Sequence, residues 1–247
     1  MKTIALRIDD IGASTKVFER YSKKRFLNIG ILRDRRLFGA WGPYSEMTPP
    51  LWDEVFALLS SSKAKLTVGV TASWVESNGD LTPFPEKFPE EAKKLKEGLD
   101  SGLIEIANHG LTHCVLKDRL FKPRLVGSNR KHHREFWDWL PDETHRAHLK
   151  MSQKILEDTF GSKITTLIPP GNVFSQSTVQ ACEDVGITVI NCQNAQGKAN
   201  SSKVKILGNE NVLAFHDREL VLYGVDWLKN QLSQLGAETS HRFVREL

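Results

Sequence analysis

The chain has 247 residues, 40% of them hydrophobic and 26% charged, with a formal charge of +4 and a pI near 8.9. This is ordinary for a globular protein with ample length for a full core, and so small a positive surplus argues against a nucleic-acid binder. No apolar run approaches the length of a membrane span, and the three cysteines Cys114, Cys182 and Cys192 form no C-x-x-C, so free thiols in a reducing compartment are expected.

Met1 leads within a few residues into the strand-like Ile4-Ala5-Leu6-Arg7-Ile8, leaving no room for a signal peptide. A cytoplasmic protein is therefore expected. This first strand runs into Asp9-Asp10-Ile11-Gly12. Two adjacent carboxylates at the end of an apolar strand are costly to bury without a compensating charge. A metal ion would compensate, with one aspartate as ligand and the other as a base beside it. Alternatively, the pair caps a helix that begins at Ser14-Thr15. Neighbouring strand residues face opposite sides, so both aspartates serve one site only if the strand has already turned.

A helix is expected from Thr15 to Lys24 and a strand from Phe26 to Leu32. Residues 33–50 then mix Arg33, Arg35 and Arg36 with Trp41 and Tyr44. That composition suits stacking on a sugar ring and holding an anion, or a solvated loop with an aromatic tucked into the core. Thr48 followed by Pro49 and Pro50 opens a helix through Leu59. Leu66 to Thr71 reads as a strand with Ser73-Trp74-Val75 just past its end, and a Pro-rich loop from Asn78 to Pro85 leads to a helix from Pro89 to Leu99.

Leu103 to Ala107 alternates apolar and polar residues and reads as a strand, and His109 and His113 follow it four apart. That spacing places two imidazoles on one side of a helical turn and suits two ligands of one metal ion. Gly110 argues for a turn at the strand's end, and two surface histidines on a loop is the plainer alternative. Residues 114–140 carry Arg130, Lys131, Arg134, His132 and His133 with little periodicity, and read as a basic functional insertion. A helix is expected from Pro141 to Phe160, stopped by Gly161. There follow a strand from Ile164 to Ile168 ending in Pro169-Pro170-Gly171-Asn172, a helix from Ser175 to Val185, and a strand from Ile187 to Asn191. Strands at Val204–Leu207 and Val212–Phe215, the latter ending in His216-Asp217, precede a last helix from Trp227 to about Leu235. Alternating strands and helices indicate parallel βα units in an open sheet or a barrel, in one domain.

Four chemical groups therefore fall at the C-terminal ends of predicted strands, where βα barrels build their active sites. In order and spacing they resemble the NodB-like polysaccharide deacetylases, carbohydrate esterase family 4, with motifs T-F-D-D, H-S/T-x-x-H, R-x-P-x-G and a late L-x-H. The resemblance spans Ile4 to about Asp217. It implies a distorted (β/α)7-type barrel and metal-dependent hydrolysis of N-acyl groups, acetyl or formyl, on an amino sugar or its carrier-linked precursor. It further implies Asp9 as base, Asp10, His109 and His113 as ligands of a divalent ion (zinc, with cobalt, nickel or manganese as alternatives), and His216 as general acid. Pro169 and Pro170 have no N–H, so Gly171 is the first donor in its loop for an oxyanion. Asn172, Trp41, Tyr44, Arg130, His132 and His133 are expected to contact the substrate, which the basic loops suit to carrying a phosphate.

The chain also departs from the family pattern. Ile168 stands where the third motif has an arginine, and Arg7, two residues before Asp9 on its side of the strand, is expected to replace that cation. Asn191-Cys192-Gln193-Asn194 stands in place of D-x-x-D-W. These losses argue against a standard chitin or peptidoglycan substrate, and the missing arginine supports a second reading, a catalytically silent sugar- or metal-binding member of the family.

Overall fold

Strand β1 (Thr3–Ile11) is buried along nearly its whole length because both of its edges are occupied. In the computed structural model, residues 2–19, 21–22, 25–33, 40–41, 43–116, 125–127, 129–193, 199–236 and 238–247 are described, with 21–22, 25, 31, 33 and 40–41 described by backbone alone. After β1 come α1 (Thr15–Phe18), β2 (Tyr21–Ser22), α2 (Gly30–Arg33), β3 (Ala40–Trp41), α3 (Pro49–Ser61), β4 (Leu66–Val70), β5 (Ser73–Val75) and β6 (Leu81–Pro83). The chain continues through α4 (Phe84–Lys87), α5 (Pro89–Asp100), β7 (Ile104–Asn108), α6 (Asp142–Phe160), β8 (Thr166–Leu167), α7 (Gln176–Val185) and β9 (Val189–Asn191). It closes with β10 (Lys205–Leu207), β11 (Val212–His216), α8 (Asp217–Tyr223), α9 (Val225–Leu235) and β12 (Ser240–Arg242).

The main sheet runs β10-β9-β8-β7-β4-β1-β11 with every pairing parallel, and β12 adds to the first half of β1. The seven strands on that path curl into the distorted (β/α)7-type barrel. Its two end strands, β10 and β11, are not paired with each other among the described residues. Arg7 reaches from β1 to Asn191 at the end of β9 and to Asn209 in the β10–β11 turn, tying the two ends together. At the opposite end of the barrel the last residues form a plug. Val244 is buried beside Ala5 and Val189, and its N–H donates to Thr67 Oγ1 at 2.9 Å.

Apolar residues flank the sheet on two sides. Trp52, Val55 and Leu59 of α3, Leu95 of α5 and Leu228 of α9 pack with Leu6, Ile8, Leu66 and Val68. Leu149 of α6 and Val179 and Ala181 of α7 pack with Leu167 and Ile190. The helices end where their sequences dictate. Prolines open α3 and α5, Ser175 and Thr178 form a capping box for α7, and Gly161 stops α6 at φ 61°.

Several expected elements differ. The helix from Thr15 is a single turn ending at Phe18, because Glu19 is already extended. The strand expected over Phe26–Leu32 is a 3-10 turn at Arg25–Leu27, one bridge from Ile29 to Val126, and α2. Both sides of β1, the main-sheet strand that precedes it in the chain, are already held by β4 and β11. The stretch Asn78–Pro85 contains β6, which pairs with β5, and α8 begins directly after His216.

Candidate metal centre and active-site pocket

The C-terminal ends of β1, β7 and β11 and the loop after β8 converge on one cavity of about 380 Å³, lined by Asp9, Asp10, His109, His113, Gly171, Asn172 and His216 among others. Asp9 and His216 are register partners across β1 and β11. The two aspartates share the cavity because β1 is irregular there. Its pairing with β4 shifts register between Ile8 and Ile11, and Asp10 has φ 73°. A bulge of this kind re-aims one side chain, so consecutive residues face the same side.

His109 and His113 do not sit on a helical turn. The segment after β7 is a bend in which Gly110 and His113 have φ 84° and 60°. Among the described residues, the non-glycine positions with positive φ besides Lys63 are Asp10, His113 and Asn172, all three on the cavity. Backbone strain of about 1–3 kcal/mol per residue persists where the surroundings hold it, commonly at functional sites.

Asp10, His109 and His113 form the cluster of metal-ligating groups found among the described residues. Nδ1 of His109 lies 2.6 Å from the carbonyl of Ile168, which can only accept, so that nitrogen carries the proton. In the neutral ring Nε2 is then a lone pair, 3.2 Å from Asp10 Oδ1. His113 has Nδ1 3.3 Å from Thr15 Oγ1, and its Nε2, 3.0 Å from the same Asp10 oxygen, is buried without a hydrogen-bond partner. With His113 carrying its proton on Nδ1 as His109 does, two imidazole lone pairs and a carboxylate oxygen face one another, an arrangement that a cation between them stabilises. The donor set fits a divalent ion, with Ile168 and Thr15 fixing the rings from behind. Burial pushes the Asp10 carboxyl upward, yet the adjacent histidines, His113 foremost, hold it well below the ordinary carboxylate range.

Arg7 is 2% exposed and grips Asp9 with two parallel bonds, Nε to Oδ1 at 2.9 Å and Nη2 to Oδ2 at 2.7 Å. Its remaining terminal nitrogen donates to Asn191, whose amide nitrogen donates to the carbonyls of Leu207 and Gly208. The residue standing in for the absent fourth motif thus holds the cation that faces Asp9. His216 is the cavity's more open group, its side chain 42% exposed. Burial lowers its pKa, but the negative charges of Asp10, Glu219 and Asp9 outweigh this and push it up to about 10. Glu219 accepts the His216 N–H at 2.9 Å and lies 3.7 Å from Nδ1.

The remaining expected residues divide. Gly171 lines the cavity at φ 60°, and a Cβ there would stand 2.6 Å from Arg134 Cγ, so a larger residue is excluded. Asn172 lines it too and accepts the Gln193 N–H at 2.9 Å. Arg130 and His133 are on the wall, with His133 Nδ1 3.2 Å from Glu19. Tyr44 is not on the wall. It is 7% exposed and donates to Asp217 at 2.8 Å, inside a buried group that includes Lys16 and Glu46. His132 is not a wall residue either, since its turn directs the next residue, His133, inward instead. The side chain of Trp41 lies outside the described residues. Sequence reasoning named Arg134 only as part of the basic insertion and did not nominate Glu19, Gln193, Glu135 or Glu219. Of these only Glu219 left a signal, three residues after His216 at a helix start.

No curated protein matches the sequence. Among solved structures, a CE4 family pseudoenzyme from Bacillus anthracis superposes with a TM-score of 0.53 at 12% identity, over 100% of this chain and 65% of that one. The chain thus spans about two thirds of the length of that neighbour. A family 4 carbohydrate esterase from Streptomyces lividans, in complex with acetate, gives a TM-score of 0.51 at 12% identity over 98% and 93% of the two chains. A deacetylase solved with substrate gives 0.52 at 16% identity over 99% and 89%. At such identities these likenesses establish the fold. The family model for polysaccharide deacetylase matches residues 42–190, more than half of the sequence, and the chain belongs to that family.

Proposed function

We propose that the protein is a metal-dependent hydrolase that removes an acetyl or formyl group from the nitrogen of an amino sugar. The observation that carries this reading is the meeting of Asp10, His109 and His113 beside an aspartate gripped by a buried arginine. Asp10 Oδ1 and Nε2 of the two histidines would hold a divalent ion, zinc by the chemistry of the set, with cobalt, nickel or manganese as substitutes. Such an ion, when bound, polarises an acyl carbonyl and lowers the pKa of water beside it. Asp9, oriented by Arg7, accepts the proton of the attacking water. His216, the register partner of Asp9, is placed to donate a proton to the leaving amine. Gly171, the first residue after two prolines, offers an N–H to the oxyanion. Arg130 and Arg134 on the wall suit an anionic group, such as a phosphate, on the substrate or its carrier. A cytoplasmic precursor pathway for surface polysaccharide fits this substrate class. The missing motif arginine favours a silent member, and the Arg7–Asp9 pair supports the active reading against it.

The test is release of acetate or formate from a panel of N-acylated amino sugars, free and nucleotide-linked, by zinc-loaded wild type and Asp9→Asn. Release by wild type alone supports the assignment. A metal-loaded wild type inert across the panel favours the silent reading.

A further inference from the structure

The bend that carries both histidines has no regular structure to satisfy its amides. Side chains do so instead. Asn108 Oδ1 accepts the Gly110 N–H at 2.9 Å, and Glu135 accepts those of Leu111, Thr112 and His113 at 2.9, 3.1 and 2.9 Å. Successive N–H groups wrapped around an anion form a concave nest, and here the anion is a side chain of the protein itself. Glu135 is 1% exposed, and a Cβ on Gly110 would stand 2.1 Å from its Oε2, so the seat has no slack. Behind it, His148 Nδ1 on α6 lies 2.6 Å from Glu135 Oε1. Asn108 reaches Ser152 and Gln153 farther along the same helix, at 2.9 and 3.2 Å. Helix α6 therefore holds the bend by two arms, and one of them ends on the amide of His113.

We infer that Glu135, braced by His148, is the positioning residue of the metal centre, keeping His113 in the left-handed conformation that aims Nε2 at Asp10. The inference rests on the metal reading given above. Without Glu135, three neighbouring buried N–H groups lose their acceptor, and the bend regains them only by rotating its peptides. That rotation carries the His113 ring away from Asp10. Replacement of residues that orient metal ligands typically weakens metal affinity by about 10- to 100-fold. The basic insertion of residues 114–140 thereby acquires a defined task, supplying the carboxylate that shapes the ligand bend.

The test is a cobalt(II) titration of metal-free full-length protein, followed by the visible absorption bands, for wild type, Glu135→Gln, His148→Gln and Leu149→Ala. The thermal midpoint of each metal-free protein is measured alongside. Leu149 is fully buried on α6 and does not touch the bend's amides, so it reports what general destabilisation does. The expected result is cobalt affinity reduced about 10- to 100-fold and altered bands in Glu135→Gln, a smaller loss in His148→Gln, and a lowered midpoint with unchanged affinity in Leu149→Ala. Wild-type affinity and bands in Glu135→Gln would overturn the inference, as would an equal loss in Leu149→Ala. Should Glu135→Gln not fold, His148→Gln decides, and unchanged affinity there rejects the role. A wild type that takes up no cobalt defeats the metal reading itself, and this inference with it.

Discussion

The floor and the rim of the cavity are built differently. On the floor, Asp9, His109 and His113 are at most 7% exposed, and each is tied to a second protein group: Arg7, the Ile168 carbonyl, and Thr15 with the Glu135-bound backbone. The place of Asp9 follows from strand register and one bulge, and those of the histidines from the braced bend after β7. The rim is drawn from short turns and loops. Arg130 is exposed on a 3-10 turn, and Gln193, also exposed, follows the end of β9. Chemistry requires fixed distances and sits on the rigid elements. Selectivity tolerates adjustment and sits on the connecting segments.

This contrast sets the order of expected effects. The largest belongs to Asp9→Asn, which removes the proposed base while leaving the proposed ligands alone. It should lower kcat by about 10²- to 10⁴-fold with metal content unchanged, and near-normal turnover would remove Asp9 from the mechanism. Next comes Arg7→Met. It strands a buried carboxylate and unfastens Asn191, so a stability loss of about 3–5 kcal/mol in denaturant titration is expected, with reduced kcat in the folded fraction. A neutral outcome would make the floor less rigid than its bonds imply.

A smaller effect is expected from His148→Gln, and it depends on pH. Burial lowers the His148 pKa, but the hydrogen bond and charge of Glu135 outweigh this and raise it above its ordinary value. A raised histidine contributes its full stabilisation below the unfolded pKa of about 6.5 and loses it as pH climbs through the folded one. The difference in thermal midpoint between metal-free wild type and His148→Gln should therefore be widest at pH 6 and shrink toward alkaline pH. A gap that is constant or grows with pH contradicts the pair. The smallest effect belongs to the rim. Arg130→Ala should raise KM severalfold for phosphate-bearing substrates and leave kcat within error, since it takes a cation from the cavity wall and none of the proposed base, acid or ligands.

The same contrast explains what could be read from the sequence. Strand ends carrying Asp9-Asp10, His109 and His216 were legible because apolar runs stop there at polar groups; their alternation with helices gave parallel βα units, and the family resemblance decided between an open sheet and a barrel. The placement of Arg7 opposite Asp9 was legible from the two-residue period of a strand. Tyr44 was misread because loop composition says nothing about which aromatic turns inward, and its hydroxyl found Asp217 rather than the cavity. Glu135 was invisible because its partners are backbone amides, which every residue type carries. The bulge that lets both aspartates face one site leaves no sequence signature here either, since Asp10 takes φ 73° without a glycine.

The central claim is that the floor is a metal centre, and elemental analysis of the purified protein tests it most directly. Wild type dialysed against zinc should retain about one ion per chain. Asp9→Asn should retain the same amount, because Arg7 and not the metal is its partner, while His113→Ala should retain little. Full occupancy in His113→Ala, or none in wild type, would contradict the account.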